Sequence, residues 1–92
     1  MRFPASSKKL RIKPEVVSAF AGQWISTQSL TPSPLLAEFV AQMESAICRA
    51  FGGRYELSSG LAAVIMEENG IERFTARTGR HRWPYVRRVT PS

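Results

Sequence analysis

Between Arg73 and Arg88 the chain reads RFTARTGRHRWPYVRR, with six arginines, one histidine and no carboxylate. Guanidinium groups are planar, permanently charged and forked, so they match phosphate or carboxylate oxygens two at a time. Packed together without acids they repel one another, and an anion lying between them reverses that sign. Anion recognition is therefore the chemistry this stretch points to. Other reactive side chains are sparse. His81 lies among the arginines with no carboxylate near in sequence to orient it, and neighbouring positive charge disfavours its protonation. Cys48 is the lone cysteine, so no internal disulfide can form. A Cys48–His81 nucleophile and base pair has no supporting motif, and Cys48 is expected to be a buried structural thiol. Glu67 and Glu68 are adjacent and point in different directions, which does not make a general acid–base pair. One histidine without a Cys-x-x-Cys pair argues against a zinc site. Gly52-Gly53 lacks the residues of a phosphate loop or dinucleotide fingerprint. No catalytic residue, metal or cofactor is expected.

The element carrying the arginines reads as a β-hairpin over 71–89. With Gly79-Arg80 as a two-residue type II′ turn, Thr78 faces His81, Arg77 faces Arg82, Thr75 faces Pro84 and Arg73 faces Val86. On the other face Ala76 meets Trp83, Phe74 meets Tyr85 and Glu72 meets Arg87. This register sorts Phe74, Ala76, Trp83, Tyr85 and Val89 onto an apolar side expected to cover helices. Arg73, Arg77, Arg82 and Arg88 fall on the side expected to face outward, with Arg80 at the tip. Pro84 has no N–H to donate, so its strand is expected at an edge.

The preceding segments read as helices. Pro14–Ser26 has Pro at its first position, Glu15 at the positive end of its dipole, and Val17, Phe20, Ala21, Trp24 and Ile25 at helical spacing. Ser33–Phe51 is the clearest, with Ser33 as N-cap, Pro34 next, and Leu36, Phe39, Val40, Met43, Ile47 and Ala50 along one side. Gly52-Gly53 stops it. Residues 59–69 fit two readings. As a helix, Ser58 or Ser59 caps LAAVIMEE. As a strand, Ala62–Glu68 enters a hairpin at Asn69-Gly70 but sets Glu67 against Glu72. The fold expected is thus α+β: two or three helices followed by a C-terminal antiparallel hairpin, winged-helix-like, or two helices plus a three-stranded meander. Helices followed by a basic hairpin resemble, at the level of fold, a winged helix-turn-helix, in which the wing touches the DNA backbone. Residues 1–13 read as a basic flexible arm and 14–92 as a single small globular domain.

Charge is segregated. Residues 1–13 carry five cations and residues 73–92 carry six, neither with an acid, whereas all seven glutamates lie between them. Such segregation points to a polyanionic partner. The reading that follows is a non-enzymatic nucleic-acid-binding accessory or regulatory protein, with DNA favoured over RNA. Its expected contacts are Arg73, Arg77, Arg80, Arg82, Arg87 and Arg88 with Lys8, Lys9 and Arg11 of the arm, and Trp83 and Tyr85 as candidates for base stacking. Residues 59–69 offer few base-reading groups, so backbone contact is expected to dominate. The alternative is a protein–protein module, an inhibitor, adaptor or assembly subunit, docking its arginine face on an acidic partner. Opposite charges also allow self-association into a homo-oligomer. The longest apolar run, Leu61–Met66, is far short of the roughly 20 residues of a membrane span. No secretory leader is expected, and a cytoplasmic, reducing setting suits the single cysteine.

Overall fold

A computed structural model describes residues 10–78 and 81–89, with backbone alone at 76–78 and 81–83. The element order is α1 (Pro14–Ser26), α2 (Leu36–Phe51), α3 (Ser59–Glu68), β1 (Ile71–Thr78) and β2 (His81–Arg88). This is the expected α+β arrangement, three helices followed by a C-terminal antiparallel hairpin.

Residues 59–68 are helical, which removes the three-stranded meander. Ser58 supplies the cap, its hydroxyl accepting the Leu61 N–H at 3.2 Å. Ala62, Ile65 and Met66, at helical spacing, enter the core. Gly70 then turns the chain out with a φ of 68°, a conformation that disfavours any side chain. The strand reading would have placed Glu67 against Glu72, and the helix avoids that repulsion.

Helix α2 starts at Leu36 and not at the expected Ser33. Pro34 and Leu35 lie instead alongside β2. The Val86 N–H donates to the Pro34 carbonyl at 3.1 Å, and Leu35 forms an isolated antiparallel bridge with Tyr85. An extended proline segment beside an unpaired sheet edge gains hydrogen bonds there that a first helical turn would not provide. At the other end Gly52 adopts a φ of 75°, and its N–H donates to the Cys48 carbonyl at 2.8 Å. Phe39, Met43, Ala46 and Ile47 face inward, whereas Ala50, expected on the same stripe, is exposed.

The core joins Val17, Ala21 and Ile25 of α1, Phe39, Met43 and Ile47 of α2, Leu57 of the connection, and Ala62, Ile65 and Met66 of α3. The hairpin closes it with Ile71 and Val86, which are 5% and 0% exposed. Both belong to the arginine face. The expected orientation of the hairpin is therefore reversed at its root. The aromatic side does not cover the helices, and Phe74 and Tyr85 lie outside the core cluster. Two compact β-branched side chains fit between packed helices, while Phe74 and Tyr85, both half-buried, stack on each other on the outer face.

Candidate nucleic-acid interface

The hairpin pairs in the expected register: Arg73 with Val86, Thr75 with Pro84, Arg77 with Arg82 and Thr78 with His81, and on the other face Glu72 with Arg87, Phe74 with Tyr85 and Ala76 with Trp83. Alternation along a strand sets Arg73, Arg77, Arg82 and Arg88 on the side that also carries Ile71 and Val86. Because those two residues contact the helical core, the arginine positions lie on the α3 side of the hairpin. Arg73 lines a shallow cleft with Ala63, Val64 and Glu67 of α3. The Gly79-Arg80 turn, and the side chains at positions 77, 81, 82 and 83, lie outside the described residues, as do Lys8 and Lys9.

The arginines divide by environment. Arg73 is exposed and has no ion pair among the described residues. Arg11 is likewise exposed. Arg88 is engaged internally, its Nη2 donating to the carbonyls of Ile25 at 2.6 Å and Gln28 at 3.1 Å. These are carbonyls at the C-terminus of α1 and in the turn after it, where a cation complements the helix dipole, and at Ile25 Arg88 adds to the Gln28 N–H already donated to that oxygen at 2.9 Å. Arg87 lies on the outer face, paired with Glu72 at 2.6 Å and set over the Phe74 ring at 4.7 Å. Phe74 in turn stacks on Tyr85, with ring centroids 5.5 Å apart and planes 25° apart. Arg87, Phe74 and Tyr85 thus form a cross-strand ladder that supports the hairpin. Phe74 was not among the expected site residues, although its pairing with Tyr85 was legible from the turn.

Helix α3 presents Ser59, Gly60, Val64, Glu67 and Glu68 to solvent, with Val64 46% exposed. Only Ser59 among these side chains can donate a hydrogen bond. Glu68 accepts from the Ser18 hydroxyl at 3.2 Å. The arm meets the body at the α2–α3 connection, where the Leu10 N–H donates to the Arg54 carbonyl at 2.7 Å and the Leu10 side chain abuts Gly53. Arg54 itself is paired with Glu56 at 3.5 Å.

Cys48 is half-buried rather than buried. Its Sγ accepts the Tyr55 N–H at 3.0 Å, a local contact that ties the α2–α3 connection to α2. Glu44 strengthens the same connection by accepting the Leu57 N–H at 2.8 Å. Burial, with a smaller contribution from the Glu44 carboxylate, pushes the Tyr55 phenol above its usual value. Among the described residues, no three His, Cys, Asp or Glu side chains gather as a metal site would require, and no helix is long and apolar enough to cross a membrane. Comparison with protein-family models, with curated proteins and with solved structures finds no match to this chain.

Proposed function

We propose that this chain is a non-enzymatic nucleic-acid-binding protein of accessory or regulatory type that grips the phosphate backbone with its C-terminal hairpin and basic arm. The observation that carries this reading is the hairpin register. It aligns Arg73, Arg77 and Arg82 on one strand face, with Arg77 directly opposite Arg82, and Arg73 exposed without a carboxylate partner among the described residues. Two arginines across a ladder destabilise it by some tenths of a kcal/mol, on the order of 0.2–1, and a phosphate between them removes that cost. The cationic arm adds a second point of contact through Lys8, Lys9 and Arg11. With one cysteine, a cytoplasmic, reducing setting suits the protein.

Titration of a labelled DNA duplex at two salt concentrations tests this. Backbone binding through Z phosphates gives a log–log slope of about −0.9Z. Arg77→Glu with Arg82→Glu is expected to weaken binding sharply and lower the salt slope while leaving the circular dichroism spectrum unchanged. Unchanged affinity in the double variant would remove this face from the interface. Negligible affinity of the parent chain for duplex and single strand at low salt would favour an acidic protein partner at the same face.

A further inference from the structure

We infer that the hairpin, and not α3, is the element that enters the DNA, and that it does so in the major groove of a duplex. This rests on the nucleic-acid reading above and goes beyond it by naming the element and the groove.

Helix α3 is unsuited to that position. Gly60, Val64 and Glu67 of its exposed surface offer base edges no donor, and the carboxylate repels phosphates. Base edges are read by Arg, Lys, Asn, Gln, Ser or Thr, and of these α3 exposes only Ser59 at its first position. The hairpin has what α3 lacks. Among the described residues its members of the core are Ile71 and Val86, Thr75 and Pro84 are exposed, and the ladder continues through four further pairs from Thr75↔Pro84 to Thr78↔His81. At roughly 3.4 Å per residue, Thr75 to Thr78 spans about 10 Å. The major groove is about 12 Å wide and about 8.5 Å deep and admits a two-stranded ribbon. The arginines are distributed accordingly. Arg87 and Arg88, at the root, are held by Glu72 and by α1 carbonyls, while Arg73, Arg77 and Arg82 lie farther along the ribbon on one face. The Arg87–Phe74–Tyr85 ladder braces the base of the ribbon, just below these pairs, from its other side. Paired strands with a cationic face and a braced base make an element that can be inserted as a unit.

Disulfide trapping tests the placement. In a Cys48→Ser background, single cysteines are introduced as Thr75→Cys on the arginine face of the ribbon and as Val64→Cys on α3. Each is mixed with a duplex carrying a cytosine whose N4 bears a disulfide-protected thiol tether projecting into the major groove. Anisotropy of the same labelled duplex reports binding separately. Trapping by Thr75→Cys at least tenfold faster than by Val64→Cys is the expected result. Faster trapping by Val64→Cys, or binding without trapping by either variant, would overturn the ribbon placement while leaving nucleic-acid binding in force. No anisotropy change with the parent chain would overturn the functional reading itself, and this inference with it. A duplex RNA of the same sequence supplies a second arm. Its major groove is too narrow for a ribbon, so weaker binding than to DNA is expected, and equal affinity counts against groove entry.

Discussion

Arg73 and Arg88 share one face of the hairpin, yet their surroundings give them opposite roles. Arg88 donates to the Ile25 and Gln28 carbonyls, so Arg88→Ala is expected to destabilise the fold by about 1–2 kcal/mol in urea denaturation, from lost charge-assisted hydrogen bonds at a helix end. It should leave the salt slope of DNA binding nearly unchanged. Arg73 has no such partner among the described residues, so Arg73→Ala should change stability by less than about 0.5 kcal/mol and lower the magnitude of the slope by about 0.9. An equal loss of stability in both variants would contradict this division. The sequence alone treats these two residues alike, because both fall in the same cationic run and only the path of α1 distinguishes them. Tyr55 offers a separate residue-scale test. Its phenol titrates higher in the folded chain than in the unfolded one, so below about pH 10 both states are protonated and nothing is lost. Above that value the unfolded state ionises first and is favoured. Denaturation midpoints should therefore fall with rising pH more steeply for the parent than for Tyr55→Phe.

At the scale of elements, the sequence carries pairing information better than it carries orientation. The Gly79-Arg80 turn and alternation were enough to read every cross-strand pair from Glu72↔Arg87 to Thr78↔His81. Which face meets the helices was not legible from the same pattern. The aromatic side has the larger apolar surface, and surface alone favoured it as the buried side. The packed helices instead accept Ile71 and Val86, and a cross-strand stack with Arg87 satisfies the aromatics without burial among helices. The start of α2 was misplaced for a related reason. Ser33 and Pro34 form a good local start signal, but the edge of β2 competes for the same backbone and wins it. The reversed orientation has a measurable consequence. Val86→Ala should cost about 2 kcal/mol, as truncation of a fully buried side chain does. Phe74→Leu, on the outer face, should cost about 1 kcal/mol, chiefly the aromatic pairing. The opposite ranking would restore the aromatic side to the core.

At the scale of the whole molecule, α3 divides the cations into two groups. The end of the arm meets the connection that precedes α3, and the hairpin leaves from the residues that follow it. A ten-residue helix is about 15 Å long, so the arm root and the hairpin root lie at opposite ends of a short spacer whose exposed surface is apolar and acidic. The two cationic stretches therefore start from opposite ends of α3, and their separation along the chain was the feature most readily read from the sequence. On the proposed nucleic-acid reading a bipartite grip is expected, in which the two groups contribute separately to counterion release. Replacing Arg73, Arg77, Arg80 and Arg82 together by Ala should reduce the magnitude of the log–log salt slope by about 3.6, and deleting residues 1–9, which removes Arg2, Lys8 and Lys9, by at most about 2.7. The two changes should add, because well-separated sites with no shared partners do so. If deleting the arm also removed the contribution of the hairpin, the two groups would be acting as one continuous surface, and the acidic face of α3 between them would have to touch the nucleic acid after all.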